Sequence, residues 1–144
     1  MKVAGKEVRL CLSPAEIEER LLQNGVQPTA QRIAICRYVL CEADHPTAEE
    51  VKAWADANFP KMSLATVYNT LNTLVAVGLL REFRFPHSEK VIYDSNMADH
   101  YHFLDEETGE LFDVNQNEVE VQPKLKGRFH IHGMDLLIRG KRGS

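Results

Sequence analysis

The sequence predicts an α+β fold: an N-terminal winged helix-turn-helix, then a small α/β domain with reduced helix content. Three observations point there. Four helix-start signals precede residue 64, a two-stranded hairpin pattern follows at Leu79–Tyr93, and alternating apolar residues follow from Tyr101 to Val114. At 144 residues the chain suits one domain or two small ones. The division expected is a helical domain with a hairpin over 1–93 and a smaller sheet-bearing domain over 94–144.

Ser13-Pro-Ala-Glu16 is a capping box with proline at the first helical position. The helix behind it runs to about Gln23, with Ile17, Leu21 and Leu22 on its apolar face, and Asn24-Gly25 ends it. Thr29 caps a second helix carrying Ile33, Ile35, Val39 and Leu40. Thr47-Ala-Glu-Glu50 is a second capping box; its helix turns Val51, Trp54 and Ala55 inward and ends near Asn58-Phe59-Pro60. Ser63 caps a fourth helix, Leu64 to Val77, with Leu64, Val67, Leu71, Leu74 and Val75 as the buried stripe.

The opposite face of that fourth helix carries Ala65, Thr66, Tyr68, Asn69, Asn72 and Thr73, and no charge of either sign. A solvent-facing helix ordinarily carries Glu and Lys, as the third helix does. An uncharged polar face suits a major groove: acidic groups would repel phosphates, Asn and Thr bond base edges, and Tyr packs against thymine methyls. In the hairpin that follows, Pro86-His-Ser88 makes the turn, with Arg84 and Lys90 near the tip as DNA-binding candidates.

The net charge of −4 is unevenly placed. Residues 1–90 hold 11 basic and 11 acidic side chains, while 91–144 hold 6 and 10. The first half is therefore free to bind a polyanion locally. No stretch approaches the ~20 apolar residues of a membrane span. The N-terminus lacks the apolar core of a signal peptide, so a cytoplasmic protein with no membrane partner is expected. Cys11, Cys36 and Cys41 form no CxxC pair and are read as reduced thiols.

The chemistry concentrates in Tyr93–Asp113. No Lys or Arg occurs from Val91 to Pro123. His100 and His102 are two apart in a strand pattern, so they share a face. Asp105–Gly109 is rich in turn residues; with a loop over Glu106–Gly109, residues 105 and 110 pair and Asp113 falls opposite His102, or one residue removed. Imidazoles and carboxylates on one face suit a divalent transition metal. Beyond it, Asn115–Asn117 reads as a turn, Phe129–Ile138 as holding the last strand, and Arg139 onward as a mobile tail. A small sheet with exposed edges calls for pairing with a second copy.

Gln27-Pro-Thr-Ala-Gln-Arg32, His45-Pro-Thr-Ala-Glu-Glu50, Ser63-Leu-Ala-Thr-Val-Tyr-Asn-Thr-Leu71, Tyr93-Asp94 and Asp99-His-Tyr-His102 occur in that order. This ordered set resembles the ferric uptake regulator superfamily of dimeric, metal-responsive transcription factors, over roughly Leu10 to Val114. The resemblance is strongest to members without cysteine ligands, of the iron response regulator or peroxide regulator kind. It implies a sensory metal site of His45, Asp94, His100, His102 and Asp113, with Fe²⁺ or Mn²⁺ as ligand and Zn²⁺ taken up on purification. It also implies a homodimer on AT-rich, pseudo-palindromic double-stranded DNA, with Arg32 among the DNA-binding residues.

The position that supplies a ligand in the peroxide-sensing branch is Ile33 here, so the ligand comes from His45. A structural Cys₄ zinc is excluded, because the first CxxC pair would fall at Asp105 and Thr108 and the second after Gly140. A second metal site of the family corresponds to Asp99, Glu120 and His132. Haem sensing is the alternative input, and Asp at 113 is the residue of peroxide sensors. The rival class is a non-haem iron enzyme, since two histidines and a carboxylate also describe oxygenases; a metal-storage or zinc-sensing module differs only in the ion.

Overall fold

The computed structural model describes residues 11–59, 61–85, 89–125 and 127–143. It falls into two compact units that divide between Met97 and Ala98.

The helical unit holds α1 (Pro14–Gln23), α2 (Ala30–Arg37), α3 (Ala48–Asn58), α4 (Leu64–Ala76) and the hairpin β1 (Arg81–Arg84) and β2 (Val91–Asp94). Each helix starts where its cap predicts. Ser13, Thr29, Thr47 and Ser63 each accept a hydrogen bond from the backbone N–H three residues on, and Ser13 and Thr47 complete reciprocal boxes with Glu16 and Glu50. After α2 the chain widens into a π-type turn at Tyr38–Glu42 before the extended Ala43. The core gathers Ile17 and Leu21 of α1, Ile35 and Cys36 of α2, Val39 and Leu40 of the wide turn, and Val51 and Ala55 of α3. Val67, Leu71 and Leu74 of α4 complete it. These positions lie three or four apart, which is what brings one helix face together.

Three expectations are corrected in this unit. Leu64 is exposed rather than part of the α4 stripe, because it stands at the first helical position, before the packed face begins. Leu22 is exposed rather than on the buried face of α1, whereas Trp54 packs inward as expected, partly buried against the core and stacked on Tyr38 with ring centroids 4.2 Å apart. Cys11 and Cys41 are not separate thiols but form a disulfide, their Cα atoms 4.8 Å apart, while Cys36 is free and buried. A separation of 30 residues gave no local sign of that meeting. The turn assigned to Pro86–Ser88 lies outside the described residues.

The hairpin pairs Arg81 with Asp94 and Arg84 with Val91. A further bond, from the Tyr93 N–H to the Pro46 carbonyl (2.9 Å), fastens β2 to the segment entering α3.

The second unit is a three-stranded sheet in the order β4-β3-β5, from β3 (His100–Asp105), β4 (Leu111–Asn115) and β5 (Leu137–Gly140). β3 and β4 are antiparallel, while β3 and β5 are parallel. Its described residues contain no α-helix, only a 3₁₀ turn at Gln116–Glu118 capped by Asn115. Arg139 and Gly140, expected in a mobile tail, instead pair with Leu104 and Asp105. The stretch read as holding the last strand reaches it only at Leu137. Across both units, no helix among the described residues is long and apolar enough to cross a membrane.

Leu71 is fully buried at the centre of the helical core. Leu71→Ala is expected to destabilise that unit by about 2–5 kcal/mol in urea unfolding, through lost transfer energy and the cavity left behind.

Candidate functional site

In the sheet unit, three side chains converge. The β3–β4 register places His102 directly opposite Asp113, one of the two pairings anticipated. His100 lies on the same face of β3, two residues away. Its Nε2 is 3.1 Å from His102 Nε2 and 3.4 Å from Asp113 Oδ1, which is 3.5 Å from His102 Nε2. All three residues are buried.

The tautomer of His100 follows from its other nitrogen. Nδ1 lies 2.6 Å from the Ala98 carbonyl, which only accepts, so Nδ1 carries the proton and Nε2 offers a lone pair. This is the carbonyl-oriented imidazole of metal sites. Two imidazole nitrogens and a carboxylate oxygen at these separations match adjacent corners of a polyhedron with bonds of about 2.1 Å, whose cis edges are about 3.0 Å. A proton on His102 Nε2 satisfies the histidine pair, whereas a dication takes all three acceptors at once. The donor set therefore fits a divalent metal.

The helical unit carries its own pair. His45 Nε2 lies 3.2 Å from Asp94 Oδ2, and both side chains are buried. The other oxygen, Oδ1, accepts the Asn96 N–H (2.8 Å), which fixes the carboxylate plane and turns Oδ2 toward the imidazole. His45 Nδ1 lies 2.7 Å from Asp44 Oδ1. The backbone at His45 is left-handed, at φ 48°, a conformation a non-glycine residue holds only where its surroundings impose it. The Tyr93–Pro46 hydrogen bond anchors the backbone that follows it.

The second set implied by the resemblance behaves differently. Glu120 and His132 are exposed in the irregular stretch between the 3₁₀ turn and β5, and Asp99 is exposed just ahead of β3. Among the described residues these three do not gather into a ligand cluster.

The α4 face is as open as its composition predicts. Ala65, Asn69 and Asn72 are exposed, with Thr66 and Tyr68 half-buried beside them. Arg32 lies next to this face: its guanidinium donates to the Gln27 carbonyl (2.8 Å), and it shares a groove of about 530 Å³ with Asn69, Asn72 and Thr73. Arg84, at the end of β1, and Lys90, just before β2, are both exposed. Sequence reasoning missed Glu49, which accepts the Tyr68 hydroxyl (2.9 Å) and thereby raises the tyrosine's pKa. It also missed Asp44 and the Ala98 carbonyl. Only the adjacency of Asp44 to His45 was visible beforehand, and neighbours in sequence need not face one another.

The model of the ferric uptake regulator family matches residues 23–138. The chain belongs to the ferric uptake regulator family. It is 37% identical over 111 residues to the peroxide-responsive repressor PerR of Staphylococcus aureus, covering 73% of this chain and 74% of that protein. The Vibrio cholerae ferric uptake regulator superposes with a TM-score of 0.66 at 23% identity, over 88% of this chain and 99% of that one, which speaks for the fold alone. PerR from Streptococcus pyogenes gives 0.53 at 25% identity, over 96% and 95%. Members of this family are metal-responsive transcriptional regulators, and the enzyme reading falls with the assignment.

Isothermal titration with Mn²⁺ checks the ligand set. His102→Ala is expected to weaken binding by at least about tenfold, since even losing the hydrogen-bond partner of a metal-holding imidazole costs that much. His132→Ala should leave it unchanged.

Proposed function

We propose that the protein is a homodimeric repressor that grips AT-rich, pseudo-palindromic double-stranded DNA when Fe²⁺ or Mn²⁺ is held by His45, Asp94, His100, His102 and Asp113. It acts in the cytoplasm on genes of iron homeostasis or peroxide defence. Residues 1–93 bind DNA and 94–144 sense the metal. The observation that carries this reading is the convergence of His100 Nε2, His102 Nε2 and Asp113 Oδ1, with the His100 tautomer set by a carbonyl. Three imidazoles and two carboxylates suit Fe²⁺ or Mn²⁺, while Zn²⁺ competes on affinity. The carboxylates favour a small dication over the apolar macrocycle of haem.

On the DNA side, α4 enters the major groove and presents Ala65, Thr66, Tyr68, Asn69 and Asn72 to base edges. Arg32, Arg84 and Lys90 meet phosphates. A dimer reads two half-sites about 34 Å apart. The second copy finds an apolar surface in Val121, Leu125, Phe129, Ile131 and Met134, all exposed in one protomer. Metal need favour the DNA-competent arrangement by only a few kcal/mol to act as a switch.

Gel shifts on the promoter of the protein's own gene test this directly. Binding is expected with Mn²⁺ and lost with chelator, and equal binding in both conditions would remove the switch. Tyr68→Ala should abolish specific binding while the dimer persists in sedimentation.

The same site supports peroxide sensing. A bound ferrous ion supplies one-electron chemistry toward peroxide that Mn²⁺ lacks, and Asp113, one methylene shorter than Glu, encloses an ion less completely. Fe²⁺-loaded protein exposed to low peroxide is expected to gain one oxygen on His45, His100 or His102. Asp113→Glu should suppress that gain, and Mn²⁺ should prevent it. Peptide mass spectrometry reads the outcome; oxygen found only on Met or Cys would make the protein an iron sensor.

A further inference from the structure

We propose that Cys11 and Cys41 are a redox modification site: a thiol pair that peroxide closes to a disulfide, stabilising the helical unit, and that small dithiols reopen. The proposal stands apart from the metal and DNA readings.

The two residues are 30 apart in sequence, yet their Cα atoms are 4.8 Å apart, within the range a disulfide spans. Cys11 is exposed just ahead of α1, and Cys41 is half-buried in the wide turn Tyr38–Glu42. Cys11 lies outside the buried core, and Cys41 is packed against it, partly buried. Opening the bond removes no fully buried core side chain, and the exposure of Cys11 gives both oxidant and reductant access. Cys36 differs in each respect. It is fully buried in α2, and burial pushes its thiol up to about 12, so it neither reaches peroxide nor ionises.

The chemistry balances with peroxide as the only co-reactant. The Cys11 thiolate attacks one peroxide oxygen, the O–O bond breaks, and hydroxide leaves to take up a proton as water. The sulfenic acid formed on Cys11 is attacked by the Cys41 sulfur, the S–S bond forms, and the second oxygen leaves as water with the Cys41 proton. Two sulfurs are each oxidised by one electron, and one peroxide is reduced to two waters. A dithiol reverses the change by thiol–disulfide exchange and carries the two electrons away as its own disulfide.

Closure would tie the segment ahead of α1 to the turn that leads, four residues later, to His45. The loop it closes spans α1 and α2, so the unfolded chain loses freedom that the folded one has already given up.

The test uses full-length, Mn²⁺-loaded protein, fully reduced and then desalted without oxygen. It is treated with low peroxide, denatured in an alkylating agent and weighed. Reduced protein should take up three alkyl groups and peroxide-treated protein one, on Cys36, with an intramolecular 11–41 bridge in the digest. Dithiothreitol added under native conditions should restore three. The thermal midpoint of the oxidised protein should rise by roughly 5–15 °C. Cys11→Ser should show neither the bridge nor the rise, while Cys36→Ala should keep both. Three alkyl groups after peroxide, a bridge through Cys36 or between protomers, a bridge that native dithiothreitol cannot open, or an unchanged midpoint would each overturn the proposal.

Discussion

The pairing of β3 with β4 is the constraint on which the site depends. A strand alternates its faces, so a slip of one residue would turn His102 away from Asp113. The register is fixed at the turn. The Asp105 carboxylate accepts the N–H groups of Glu107 and Thr108, its carbonyl accepts the Gly109 N–H, and its own N–H donates to the Glu110 carbonyl. Gly109 takes the positive φ of 78° that closes the loop. Four hydrogen bonds and one glycine thus aim three candidate ligand atoms farther along the strands.

That turn is tied to the far edge of the sheet, at the end of β5. Hydrogen bonds do the stapling. Glu106 N–H donates to the Gly140 carbonyl (2.8 Å), Asp105 pairs with Gly140, and His102 N–H donates to the Leu136 carbonyl. Gly140 has the Phe103 ring against it, about 3.5 Å from where a Cβ would stand. Parallel strands ordinarily need a helical crossover. Here the connection from Gln116 to Leu136 makes only a 3₁₀ turn, so its apolar side chains are left outside the sheet's own packing.

The helical unit was legible because its signals are local. Ser, Thr and capping boxes announce helix starts within four residues, and the apolar stripe of α4 announces its buried face. The HxH pair and its carboxylate were legible because β periodicity and the turn chemistry of Asp105–Gly109 jointly predict their register. What escaped was contact without local periodicity: Cys11 with Cys41 across thirty residues, Glu49 with Tyr68 across nineteen, and the parallel return of β5 after an irregular stretch. The Leu64 expectation failed for a different reason, since a helical stripe does not say where along the helix packing begins.

His45 shows how the ligand set is divided. Its φ of 48° is a strained conformation worth about 1–3 kcal/mol, held next to the Tyr93–Pro46 hydrogen bond rather than relieved by a glycine. The helical unit therefore spends local stability to hold one imidazole against Asp94. The sheet unit supplies three donors from regular strands at no such cost. Neither set alone fills the coordination of a six-coordinate dication. A metal bound by either unit by itself would stabilise only that unit's fold. In the proposed five-ligand site, the affinity difference between three donors and five becomes free energy acting on the arrangement of the units, which is what a switch requires and a structural metal does not.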